Sequence, residues 1–482
     1  MKTRIARLAV VAIVLLTGRV QSHAEAAAPS SGNSPFAQAE GFDSEASFSG
    51  YIGDDAELKT PAGVADAAKS PAVQSRPAAF QYDSPQKAGA KGGKDAKGGA
   101  GKGGMGKGDR ASGPWVYGPW VSVEYMSTWL QGRYLPPLVS TSPPGSEGVV
   151  PGASVLFGGD ELSDNRQAAG KLTVGGWLDE GERLGLVGNY FLVETESVGF
   201  HGSSDASGSP LLARPFYETW PSADSGVGPA SFLVSGQTTV GNLLFTLDGQ
   251  IDAVAKTDVE GAEGYLRYLL FCAPGRRLDL IGGYQFSRVD DRLTIAHSTD
   301  FTPQIFGANF EAEDVFDTEN KFHGGSLGLL GQVGSGPIVL SVLAKVGMGN
   351  MNQVVTIDGR SALTDAGGFT SHYTSGIMAL PTNEGVYEDD KFAVIPEAEV
   401  KLTFKLTKNL EATVGYDFIY WSSLALAGEQ IDTSLGNLPT VNSSQWFGGS
   451  LDPSGGSYPA FNGIKDSSLY LQGLSVGLTL RM

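Results

Sequence analysis

The chain has 482 residues, 41% of them apolar and 18% charged, with a formal charge of −18. Its one cysteine excludes a disulfide framework and a Cys-ligated structural zinc. The acidic balance excludes nucleic acid as a general partner, because that binding needs Lys and Arg against phosphate.

Residues 1–26 have the form of a cleavable secretory signal. Lys2, Arg4 and Arg7 make a basic start, Leu8 to Leu16 an apolar run, and Ala24-Glu25-Ala26 a small-residue cleavage site. About nine apolar residues are too few to cross roughly 30 Å of hydrocarbon as a helix, and no later stretch approaches the required length.

Residues 27–113 are rich in Ala, Gly, Ser and Pro and end in a Gly/Ala/Lys run from Lys87 to Arg110. Such a segment cannot bury enough apolar area to offset its ordering entropy, so it reads as a disordered periplasmic arm. Its basic end suits contact with anionic cell-wall polymer. Gly101 to Lys107 superficially fits a phosphate loop, but Gly108 stands where Ser or Thr would bind magnesium, and no strand precedes it. The arm holds ten residues of each sign, so the acidic surplus falls in 114–482, with 41 acidic and 20 basic residues.

Residues 114–482 alternate with period two, the spacing of strand faces. Val121, Val123, Tyr125 and Trp129 open the series, and Leu172, Val174, Gly176 and Leu178 follow, then Leu184, Leu186, Gly188, Tyr190 and Leu192. Ala262 to Leu270 and Leu278 to Phe286 flank the turn Ala273-Pro274-Gly275. Leu327 to Val333 and Ile338 to Val346 flank Gly334-Ser335-Gly336. Val394 to Leu406 and Leu410 to Tyr420 flank Thr407-Lys408-Asn409, and Leu474 to Met482 closes the series. These are ten strands joined by tight turns alternating with long connections, about 131–168, 197–258, 297–321, 357–390 and 422–468. That alternation predicts an all-β fold, a transmembrane antiparallel up-and-down β-barrel of about ten strands (eight to twelve), with long outer loops and periplasmic termini. Roughly fifty apolar-face positions carry no charge, where 18% charge content would place about nine. Tyr190, Tyr268, Tyr284, Tyr416, Tyr420 and Trp129 suit the interfacial girdles.

Several segments, in order, resemble a planctomycete-type family of outer-membrane β-barrel porins, beta barrel porin family seven. They include Pro136-Pro137-Leu138-Val139, Leu156-Phe157-Gly158-Gly159, Leu212-Ala213-Arg214-Pro215-Phe216, Asp279 to Tyr284, Asp314 to Thr318, Asn352 to Gly359, Ala379 to Asn383 and Phe392 to Glu397. The resemblance covers roughly 114–482 and implies an outer-membrane barrel with no catalytic residues to carry over. Outer-membrane proteins often end in an aromatic recognised by the outer-membrane assembly machinery; this chain ends in Met482.

The opposite faces carry both signs: Glu124, Glu263, Asp279, Glu397, Glu399, Glu411 and Asp417 against Lys171, Arg267, Lys345, Lys401, Lys405 and Arg481. These are the candidate lumen-lining charges. Ten strands lie near the size that side chains fill, so the lumen is either packed with ion pairs or a narrow mixed-charge pore. His201, His297, His323 and His372, with Asp290, Asp291, Asp314 and Asp317, fall at the outer rim, where they are expected to be solvated. No catalytic, cofactor or metal site is expected, and the lipid bilayer is the expected partner. The functional alternatives are porin-like passive diffusion of small solutes, a non-conducting structural or adhesion barrel displaying acidic loops, and a rim-active hydrolase.

Overall fold

A computed structural model describes residues 117–143, 146–162, 166–219, 227–240, 242–304, 308–436 and 457–482. The expected signal, 1–26, and arm, 27–113, lie outside the described residues. In chain order the strands are β1 (Tyr117–Gln131), β2 (Val139–Thr141), β3 (Ser154–Phe157), β4 (Gln167–Trp177), β5 (Leu184–Val193) and β6 (Glu196–Ser203). Then come β7 (Leu212–Glu218), β8 (Gly228–Val240), β9 (Leu243–Ala273), β10 (Arg276–Thr302), β11 (Asn309–Ser335) and β12 (Ile338–Thr364). The last are β13 (Thr370–Tyr373), β14 (Gly385–Lys405), β15 (Leu410–Ala425), β16 (Ser434–Leu435) and β17 (Asp466–Arg481).

Ten of these strands close a ring, β1-β4-β5-β9-β10-β11-β12-β14-β15-β17, every neighbour antiparallel. Closure is made by β17 on β1, with Val123 opposite Leu478 and Leu130 opposite Leu471. A closed ring leaves no unpaired backbone edge, which hydrocarbon would penalise by several kcal/mol per group. The ten strands are those expected from the alternation. At the turn end, Gly275 and Gly336 have φ of +71° and +60°, the left-handed region that glycine enters without strain.

The long connections are a correction. All five expected loops are partly strand, and in three of them, 197–258, 297–321 and 357–390, this is because β9 runs 31 residues and β10, β11 and β12 each run 27. Crossing a bilayer takes about 9–11 strand residues, so these strands continue far past it. Each keeps its pairing while its faces exchange character. On β9 the outward positions Gly264, Leu266, Tyr268 and Leu270 are exposed and uncharged, whereas Asp248, Asp252, Lys256, Asp258 and Glu260 occupy the same face nearer the loop end. The inward face does the reverse: Glu263 and Arg267 in the band, then Phe245, Leu247, Ile251, Ala253 and Ala255 above. The solvent outside decides this: lipid selects an apolar outer face and water a polar one. Above the band the barrel therefore has an ordinary hydrophobic core, from Leu135, Leu212, Ile251, Leu293, Phe316 and Ile357 among others.

That core is capped from within the connections. β2, β3, β7, β8 and β16 form a small sheet, with β8 returning onto β9. A 3₁₀ turn, Ala427–Gln430, lies buried beside β10 and β11.

Candidate functional site

The band's inward faces bring the expected charges together in one layer. Lys345 pairs with Glu263 and, at 3.0 Å, with Glu397. Lys171 pairs with Glu399, while Lys401 reaches Glu124 at 2.8 Å and Glu399 at 2.9 Å. Asp417 lies 3.7 Å from Lys171 and 3.5 Å from Lys401 and accepts from Ser475 Oγ at 2.6 Å. Asn189 and Ser326 donate to Glu263 at 3.0 and 2.9 Å. Each carboxylate thus keeps polar partners where water is scarce, which buried charge requires. All thirteen expected lumen charges lie on the inner face. Eleven are buried or half-buried, and Lys405 and Arg481 stand exposed at the turn-end mouth.

Towards the loop end an apolar layer follows. Met126, Ala169, Val193, Val259, Val289, Phe322, Met351, Ile395, Trp421 and Leu471 belong to one buried cluster, drawn from all ten ring strands. Side chains lining a water-filled pore would be wet; these are at most 3% exposed. Trp421 closes against β10, its indole N–H donating to Ser287 Oγ at 3.0 Å.

Two further polar stations lie above. Arg133, 4% exposed, pairs with Glu196 at 2.7 Å and Asp291 at 3.0 Å. Asp291 also accepts from Thr257 Oγ1 at 2.6 Å and from the amide of Ala427 at 3.0 Å. Burial raises the Glu196 carboxyl above the usual range, against the pull of Arg133. Higher still, fully buried Arg214 pairs with Asp314 at 2.5 Å, and Asp314 Oδ1 accepts the amides of Ile377, Met378 and Ala379 at 2.8–2.9 Å. His297, fully buried between Phe232 and Phe310, lies 3.5 Å from Arg214.

Here the expectation of a solvated rim fails for His297, Asp291 and Asp314. His297 and Asp291 share a strand face with Leu293 and Ile295, and that apolar phase was the available signal. His201, His323 and His372 are not buried, and Asp290 and Asp317 are half-buried on the outward face. Among the described residues no group of His, Cys, Asp and Glu is arranged to hold a metal ion.

Below the charged layer the barrel opens into a vestibule of about 570 Å³ at the turn end. Trp120 and Trp177 form part of its wall, ring centroids 5.7 Å apart. Glycine makes room for them: a Cβ at Gly175 would fall 2.3 Å from Trp120, and one at Gly185 2.8 Å from Trp177. Arg267 and Arg277 lie over Trp177, 5.0 and 4.4 Å from its centroid, and both bond Asp279.

Residues 120–482 match the family model described as "Putative beta barrel porin-7 (BBP7)". No curated protein matches the chain. Among solved structures, the chain is similar to the outer membrane protease OmpT from Escherichia coli, at 11% identity and a TM-score of 0.33, covering 76% of this chain and 97% of that one. It is also similar to the Pseudomonas putida toluene transporter TodX, at 10% identity and a TM-score of 0.17, covering 76% and 89%. A Pseudomonas aeruginosa FadL homologue matches at 8% identity and a TM-score of 0.16, covering 76% and 90%. At such scores and identities none of these likenesses transfers an activity.

Proposed function

The chain belongs to the putative beta barrel porin-7 family, and from that premise we propose that it is a sealed outer-membrane barrel, a non-conducting body that displays a folded, acidic loop end. The observation that carries this reading is the apolar cluster drawn from all ten ring strands, backed by the charged layer beneath it. An ion crossing the barrel would have to shed its hydration among Phe322, Met351 and Trp421, where the interleaved polar side chains Thr128, Ser287, Asn320 and Gln353 are buried and already hydrogen-bonded within the protein.

In this reading residues 1–26 direct secretion and are removed. Residues 27–113 then form a periplasmic arm, its Lys-rich stretch available to anionic cell-wall polymer. The lipid bilayer and the outer-membrane assembly machinery are the other partners. No enzymatic role is included. The exposed His201–Asp252 pair, 2.7 Å apart, sits on the outward face of β6 and β9, and His297 faces aromatic rings and an arginine.

Passive diffusion is the second reading, and the vestibule favours it, since it carries water-accessible volume well into the ring from one end. Planar-bilayer recording of the refolded protein separates the two. The sealed reading expects no discrete conductance steps at voltages that leave the bilayer intact. Reproducible single-channel steps would overturn it in favour of diffusion.

A further inference from the structure

We propose that the turn-end vestibule is a binding site for a soluble polyvalent anion, a carboxylate or phosphate compound entering from the periplasm. At about 570 Å³ it has the size of a small-molecule pocket, and it ends blindly at the charged layer. Trp120 and Trp177 make one stretch of its wall aromatic, and Leu330, Val339 and Leu343 with Gln332 and Ser341 line another.

The charge is distributed so as to favour an anion. The bilayer band and its turns hold ten basic and ten acidic residues, a balance of zero. The balance is uneven along the axis. Deep in the lumen Lys345 faces two carboxylates, Glu263 and Glu397, with Asp417 close by, so negative charge is in excess there. The compensating positive charge is at the mouth. Lys405 and Lys408 line the vestibule and have no anionic partner among the described residues. Arg481 beside them spends only its Nε on Glu411, at 2.9 Å, and remains about half exposed. A cleft with low-dielectric walls concentrates such a field, raising the local concentration of the opposite ion. The vestibule's lining holds seven basic side chains against four carboxylates: Glu124 and Glu399 are held by Lys401, Glu411 by Arg481, and Glu182 lies 3.8 Å from Arg277. The Lys87–Lys107 stretch of the chain carries the sign of the mouth and is an unsuitable occupant for the same reason.

The test is titration calorimetry on the full mature protein refolded in a zwitterionic detergent, with closure checked by the gel mobility of unboiled against boiled protein. Citrate and tripolyphosphate are the probes for the two anion classes, acetate the monovalent control and spermidine the cationic one. The expected result is saturable one-to-one binding of citrate, tripolyphosphate or both, weakened by added salt and absent with acetate and spermidine. Whichever probe binds names the class. The double variant Lys405→Gln/Lys408→Gln, changed at exposed positions that no fold contact requires, should bind at least tenfold more weakly. A control at the other end of the barrel, Lys256→Gln, should bind like the parent. Absence of saturable anion binding, tighter binding of spermidine, or an unaltered double variant would each overturn the proposal. Conductance of the barrel would overturn the sealed reading and leave this result standing.

Discussion

Burial, and then the neighbouring Arg214 guanidinium, hold the pKa of His297 well below the ordinary imidazole range, so its ring is neutral in the folded protein. An unfolded histidine takes up a proton near pH 6.5. Below that pH the unfolded chain binds a proton that the folded one refuses. The His297 contribution is therefore intact above about pH 6.5 and is lost as the pH falls, by roughly 1.4 kcal/mol per pH unit until the folded ring also titrates. Glu384 works in the opposite sense. Its burial and the nearby Asp358 and Asp314 carboxylates raise its pKa to about 7, so acid favours its folded form over the window from the usual carboxylate range to about 7. Comparison with a variant isolates the histidine. His297→Phe keeps a planar ring between Phe232 and Phe310 and removes the titration. The denaturation midpoint of the loop-end half, followed by proteolysis of 365–384, should fall between pH 7.5 and 5.5 in the parent by more than in the variant. An equal fall in both would remove His297 as the cause.

An element such as β11 obeys two rules along one unbroken strand. Near the turn end its outward residues Leu327, Leu329 and Val333 are exposed and face lipid; near the loop end Glu311 and Glu313 occupy the same face. Leu329→Arg therefore puts a charge near mid-bilayer at about 2–4 kcal/mol. Glu311→Arg, on the same strand and face, should change stability by a few tenths of a kcal/mol. Urea midpoints in lipid vesicles would measure both, and similar midpoints for the two variants would refute the lipid assignment. The same two rules decide what could be read from sequence. An uncharged face marks lipid contact, so the ten band segments and their turns were legible. Above the band that criterion loses meaning, because the apolar face turns inward. Alternation continues through Leu293, Ile295 and His297, yet charges such as Asp290 and Arg292 on the other face hide it from a criterion that looks for an uncharged face. The apolar plug was illegible for a different reason. Whether Met126 and Phe322 meet across the lumen depends on the diameter of the whole ring, which no single strand encodes.

For the whole molecule, one set of strands spans two solvents. The band and its turns are electrically balanced, so the surplus of 21 acidic charges in 114–482 belongs to the segments towards the loop end. The core there, around Leu293, Phe316 and Ile357, is driven together by water, and urea weakens that drive by solvating apolar and peptide groups. The band is held by lipid outside and by ring closure, where unpaired backbone is costly. Although β9 to β12 run through both halves, the two should respond to urea separately. In vesicles, protease access to 365–384 is expected at urea concentrations where unboiled protein still migrates as a closed barrel. Like charges on the loop-end half repel one another, and salt screens repulsion between exposed groups. Raising the ionic strength should therefore move the proteolysis midpoint upward and leave the mobility midpoint in place. If both midpoints coincide, and salt shifts them together, the continuous strands bind the halves into one cooperative unit and the division by solvent has no energetic meaning.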